Sequence, residues 1–191
     1  DNVFVTDGAV IIPIPSSNDG RSGNQFEAFL PKVGMIYNFN EDRSLGLSYQ
    51  RGYRAGGAGL NLAAVPIAEF DFDPEFTDTI ELAYRSQFND GASTFNANVF
   101  YTQWEDMQVT QQIDPLNPRS TIIDNVGSAR LWGAEVDFRT SINSNFDIFA
   151  SAAYANTRFG NFVFQPISGF FGGTNLRGNQ FPFSPELTAA F

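Results

Sequence analysis

Four acids, Glu69, Asp71, Asp73 and Glu75, occupy every second position of one short stretch. On an extended backbone that spacing puts four carboxylates on one face, and hard cations such as Ca²⁺ favour several carboxylate oxygens. The run lacks the Gly and the terminal bidentate Glu of an EF-hand loop, and Phe70 and Phe72 intervene. A solvated loop is the better reading, and no metal site is assigned. Arg51 and Arg54 flank Tyr53; two guanidinium groups could grip an anionic ligand. The alternative is a purely structural role beside the aromatic ring. Trp104, Gln108 and Gln111 combine an aromatic face with amides, a set that suits a polar small molecule such as a sugar, or else simple packing.

Enzyme chemistry finds little support. The chain has no His and no Cys, which removes His general bases, Cys nucleophiles, thiolate zinc sites and disulfides. Paired carboxylates could serve glycoside hydrolysis, but no acid pair is placed by more than proximity. The Gly-rich Arg54–Gly59 stretch, RAGGAG, lacks the Lys-Ser/Thr of a phosphate loop. No cofactor is implied.

Composition narrows the class. Among 191 residues Phe occurs 21 times and aromatics make up 15%, yet charged residues are only 17%, below the ~25% of an ordinary soluble domain. The aromatics must face something other than a small interior. Net charge is −10 and the basic residues are scattered, so the basic stripe of a nucleic-acid binder is missing. No apolar run approaches the ~20 residues of a membrane helix; a spanning β-barrel evades that test because its apolar residues alternate.

The elements that must carry these residues are strands. Thr77–Trp104 reads as one long hairpin. Ile80, Leu82 and Tyr84 alternate with Glu81, Ala83 and Arg85, and Phe95, Ala97, Val99 and Tyr101 alternate with Asn96, Asn98 and Phe100, the period of a two-faced strand. Asn89-Asp90-Gly91 tolerates the left-handed backbone needed to reverse the chain. Earlier strands are expected over 28–39 and 44–53, joined by Asn40–Arg43, with residues 1–27 mostly loop. Later ones are expected over 121–140 and from 146, joined by Asn143–Asn145, with a last strand-like segment over 181–191. The strand after Asn89–Gly91 is carried on to Ile113, where Pro115 and Pro118 break it. The connections at 54–73 and 160–178 read as long loops.

Tight and long connections therefore alternate, so one end of an up-and-down meander is trimmed and the other elaborated. That is the asymmetry of outer-membrane barrels. The apolar face would meet lipid, and Glu81, Arg85, Asn96, Asn98, Glu135, Asp137 and Arg139 would line a lumen. A soluble secreted β-sandwich, such as an adhesin or carbohydrate-binding module, predicts the same alternation without the loop asymmetry and stays open on these residues alone.

Several segments, in order, resemble the C-terminal barrel region of the TonB-dependent outer-membrane receptors. Phe29–Gly34 (FLPKVG) is similar to the family's Pro-Lys strand opening, and Gly52–Gly57 (GYRAGG) to its Gly-aromatic-Arg-x-Gly-Gly stretch at a strand's external end. Pro74-Glu75 with Glu81-Leu82-Ala83 resembles its Pro-Glu then Glu-Leu-Gly pattern, with Ala83 in place of Gly. Asn98–Gln108 (NVFYTQWEDMQ), Asn125-Val126-Gly127 with Gly133-Ala134-Glu135, and Gly178–Pro182 with Pro185 continue it. The resemblance implies an all-β, antiparallel transmembrane barrel segment of about seven strands, too few to close a barrel of ~22. It implies a parent chain with an N-terminal plug, further strands beyond Phe191, and a Gram-negative outer-membrane location. Leu187, Ala189 and Phe191 also resemble the terminal aromatic signal of such proteins. Implied partners are membrane lipid, a TonB-type energy-transducing protein acting through the plug, and a small-molecule ligand such as a metal chelate, with ferric siderophores the modal substrate. Ligand contact would then fall to Arg51, Arg54, Trp104, Gln108 and Gln111, and plug or mutual contact to Glu81, Arg85, Glu135, Asp137 and Arg139.

Overall fold

The computed structural model describes residues 27–64, 66–114, 116–164 and 174–191. Its strands are β1 (Lys32–Asn40), β2 (Arg43–Arg54), β3 (Gly57–Asn61), β4 (Ala68–Phe72), β5 (Glu75–Phe88), β6 (Ser93–Glu105), β7 (Gln108–Gln112), β8 (Thr121–Asn125), β9 (Gly127–Asn143), β10 (Phe146–Phe164), β11 (Thr174–Asn175) and β12 (Leu187–Ala190). The main sheet runs β1-β2-β5-β6-β9-β10, with β11 and β12 each pairing a different part of β10. Every neighbour is antiparallel. Set apart from it are two small hairpins, β3–β4 and β7–β8.

Short turns close one end of the sheet. The Asn40 and Asn143 side chains each accept the backbone N–H two residues on, at 3.0 and 2.9 Å, which folds the β1–β2 and β9–β10 links into Asx-type turns. Asn89, Asp90 and Gly91 all adopt positive φ, at 55°, 54° and 85°, and reverse β5 into β6. The opposite end carries the described parts of the connections over 55–74, 106–126 and 174–186, so the long connections lie together.

The register sorts the side chains onto two faces. Tyr49, Ile80, Tyr101 and Trp132 form one cross-strand row, and Leu47, Leu82, Val99 and Ala134 the next. On the other face Ser48, Glu81, Phe100 and Gly133 share a row, and Ser44, Arg85, Asn96 and Asp137 another. No second layer covers the apolar face among the described residues: Ile80, Val99 and Trp132 are 51%, 49% and 48% exposed. A sandwich would bury these side chains against a second sheet, whereas the described residues form a single-layer wall. From Ile80 to Phe88 the outward face runs ~27 Å along β5 at ~3.4 Å per residue. With a strand tilt of ~40° this covers ~20 Å of depth, close to the apolar band of an outer-membrane barrel. The sheet is an open, incomplete barrel wall.

Four expectations need correction. The strand predicted to reach Ile113 stops at Glu105, because Asp106 takes φ 53°. The strand predicted over 121–140 is two, β8 and β9, separated at Val126 and Gly127, whose φ is 135°. Both breaks face each other: the Met107 N–H donates to the Gly127 carbonyl at 2.9 Å and the Val126 N–H to the Met107 carbonyl at 3.0 Å. The β6–β9 hairpin thus kinks in both arms at once and re-pairs as β7–β8. The final segment narrows from 181–191 to β12, and the loop expected from Arg54 to Asp73 contains β3 and β4. The expectation for residues 1–27 falls almost wholly outside the described residues, as does part of the loop over 160–178.

Candidate ligand-binding ledge and lumenal wall

At the long-connection end the two small hairpins are fastened to each other. Asn61 Nδ2 donates to Ser120 Oγ at 3.0 Å, and both residues are buried. Asn117 Nδ2 donates to the Ala63 carbonyl at 2.9 Å. Asn125 works as a three-way staple. Its Oδ1 accepts the Asp73 N–H at 2.7 Å, while its Nδ2 donates to the Asp73 and Asp106 carbonyls at 2.9 and 2.7 Å. Side-chain amides suit this task because one group donates and accepts at once.

A charged clasp anchors the ledge to the wall. Arg54 and Glu75 are cross-strand partners at the ends of β2 and β5. Arg54 Nε meets Glu75 Oε1 at 2.9 Å, and Glu75 Oε2 accepts the Gln108 N–H at 2.7 Å. The Arg54 guanidinium also donates to the Gln108 carbonyl at 3.0 Å. Gln108 Nε2 reaches the Ala55 and Asp73 carbonyls, both at 2.9 Å.

Beside the clasp, on the polar face, lies the principal apolar cluster. Met107, Val126, Ala129, Phe159 and Phe162 are buried, with Trp104, Leu131, Leu176 and Phe181 packed against them. Trp104, Ala129 and Phe159 are successive partners across β6, β9 and β10 on that face. The ring of Phe181 lies 4.5 Å from that of Phe159 and 6.5 Å from that of Trp104. Connection side chains therefore fold over the inner face of the wall at this end.

The five residues singled out for ligand contact do not converge. Arg54 and Gln108 meet in the clasp. Gln111 is buried inside the β7–β8 hairpin, donating to Asp124 Oδ2 at 3.1 Å. Trp104 belongs to the apolar cluster. Arg51 lies on the opposite, outward face, its guanidinium 4.5 Å from the ring centroid of Phe76. Of the alternating acids, Glu75 enters the clasp, while Asp71 and Asp73 are exposed on the ledge. Sequence reasoning missed Asn61, Asn117, Ser120 and Asn125 as a functional group; their partners lie 52 to 59 residues away, which no local pattern announces.

Glu81, Arg85, Glu135, Asp137 and Arg139 share the polar face, nearer the short turns. Asn96 is paired with Arg85 and Asp137, and Asn98 with Ala83 and Glu135. Together they line a shallow depression of about 340 Å³ with Arg139 one step beyond it. Among the described residues none of the five charges makes a salt bridge.

Residues 6–191 match the protein family described as TonB dependent receptor-like, beta-barrel. The chain belongs to that family. TonB-dependent receptor barrels reside in the outer membrane of Gram-negative bacteria and serve as receptors and transporters, not enzymes. The apolar row from Tyr49 to Trp132 and the Glu81–Arg139 set lie on opposite faces of this wall. Among solved structures, the chain is similar to the ferric yersiniabactin uptake receptor FyuA from Yersinia pestis, with a TM-score of 0.61 at 20% sequence identity. The likeness covers 84% of this chain and 22% of that one, so the chain spans about a fifth of that receptor's length. At this identity the likeness bears on fold.

Proposed function

We propose that this chain is part of the barrel of a receptor that imports a scarce, large nutrient, with a ferric siderophore as the favoured cargo. The observation that carries the reading is the fused ledge. Two external hairpins are locked to each other and to the wall by the Arg54–Glu75–Gln108 clasp and by Asn125, which gives an external ligand a pre-formed surface rather than a mobile loop. Pre-ordering lowers the entropy lost on capture. Family membership supports uptake energised through a TonB-type partner and a plug held within the barrel. The lumenal charges Glu81, Arg85, Glu135, Asp137 and Arg139 have no salt-bridge partner in the wall, which supports contact with such a plug. A metal chelate as cargo is favoured by the FyuA likeness.

The test uses the full-length receptor in a siderophore-auxotrophic host starved of iron. Growth on a panel of ferric siderophores, abolished by deleting the receptor and by removing the TonB system, is the expected result. Growth that none of the panel restores, with direct binding also absent, would move the cargo to another class, such as an oligosaccharide.

A further inference from the structure

The two longest stretches of the chain without a polar side chain are 62–68 (LAAVPIA) and 8–15 (GAVIIPIP). The first lies at the tip of the β3–β4 hairpin. Leu60, Leu62 and Ile67 are 60%, 75% and 52% exposed there, and Leu116, at the tip of β7–β8, is 92% exposed. These side chains gather at one joint. Leu62 adjoins Ala63 and Leu116 adjoins Asn117, the residues joined by the hydrogen bond between the two hairpins, while Leu60 and Ile67 flank the Asn61–Ala68 pair. The hairpins hold together without using them. On the other face of β3–β4 the Phe70 and Phe72 rings lie over Gly59 and Gly57, where an added Cβ would come within 2.5 and 2.8 Å of them, and the joint itself is made by the polar groups of Asn61, Asn117 and Ser120. Aliphatic side chains clustered at one fastened joint, rather than scattered singly, mark a contact surface.

We propose that residues 9–15 of this chain, which lie outside the described residues, dock on this tip. Strand order favours them. β1 begins at Lys32, at the end away from the short Asn40 turn, and lies beside β2, from which the chain runs on into β3–β4. Reach is sufficient: the 16 residues between Pro15 and Lys32 span up to ~55 Å when extended. Leu62 is 12 positions beyond Gln50, the partner of Lys32, hence at most ~40 Å away at ~3.4 Å per residue. The chemistry matches, because Val10, Ile11, Ile12 and Ile14 offer aliphatic groups to the leucines. Pro13 and Pro15 supply no N–H and restrict the backbone beforehand, so the contact is one of side chains and loses less entropy on forming. A separate protein is a poorer fit. Four aliphatic side chains fall far short of the ~20–30 residues a side of a stable interface, whereas a tethered segment acts at an effective concentration of roughly millimolar. The inference is independent of the cargo and of its uptake.

The experiment uses the full-length receptor, stripped of any native cysteines, in detergent micelles. With Ile12→Cys and Leu116→Cys together, a short bis-maleimide is expected to join the two positions within one chain. With Leu116→Cys alone, an aqueous maleimide is expected to react about tenfold faster once Ile11→Asp and Ile14→Asp are added, the equivalent of losing roughly one buried isoleucine. Asp90→Cys, in the β5–β6 turn, is expected to react at the same rate with and without the aspartates. The cross-linking arm carries no aspartate, so it tests the contact in a receptor whose apolar run is otherwise intact. Equal labelling at position 116 in the two backgrounds, an equal acceleration at position 90, or a cross-link formed only between two receptor copies would each overturn the proposal.

Discussion

Arg54 and Glu75 form the last cross-strand pair between β2 and β5, and their side chains close with Nε and Oε1 2.9 Å apart. The partners differ in environment. The Glu75 side chain is 8% exposed and that of Arg54 56%, so water screens the cation while the carboxylate depends on protein donors. Those donors include the Gln108 N–H, which makes Glu75 the residue through which the wall holds the β7–β8 hairpin.

Glu75→Ala is therefore expected to loosen the ledge rather than unfold the barrel. Loss of the buried acceptor costs about 1–2 kcal/mol, discounted for the exposed arginine, which corresponds to roughly 5- to 30-fold faster hydrogen exchange at Gln108–Gln112. Glu75→Gln, which keeps an acceptor for Gln108, should lie between. Unchanged protection in the alanine variant would mean that the clasp does not anchor the hairpin.

Asn61 and Ser120 test whether the two hairpins act as one body. Asn61→Ala leaves the Ser120 hydroxyl buried without its donor, a cost of about 1–3 kcal/mol. Exchange is expected to rise across both β3–β4 and β7–β8. If only residues adjoining position 61 respond, the hairpins are independent.

Gly133 is a close-packing position in the lumenal wall. A Cβ there would lie 2.8 Å from Phe100 Cζ and would also crowd the Tyr154 carbonyl. Gly133→Ala is expected to destabilise the barrel by about 1–3 kcal/mol, seen as a lower temperature for the loss of the compact form on electrophoresis. Adding Phe100→Ala should recover only part of it, because a backbone carbonyl cannot be trimmed. Full stability in the single variant would show that β9 and β10 can shift apart there.

The strands and their faces were legible because alternation is local. Ile80, Leu82 and Tyr84 against Glu81 and Arg85 state the two faces without reference to any partner, and Asn89-Asp90-Gly91 states the turn. Arg51 and Arg54 illustrate information present but unused: residues three apart on a strand point to opposite faces, so they could not form one site. The double kink at Asp106 and Gly127 was illegible for another reason. Each arm alone reads as a continuous strand, and only the pairing of Met107 with Val126 and Gly127 makes the simultaneous break favourable. The ledge was hidden likewise, since Asn125 and Gln108 spend their amides on carbonyls distant in sequence.

The central claim is that β5 and β9 form part of a membrane wall with Glu81 and Glu135 toward water and Leu82 and Val136 toward lipid. Single cysteines at these four positions, in the full-length receptor stripped of any native cysteines and embedded in outer membranes, test it directly. The account predicts that cysteines at 81 and 135 react with a charged aqueous thiol reagent, while those at 82 and 136 resist it and react with a lipid-phase maleimide. The reverse pattern, or equal aqueous labelling of all four, would contradict it.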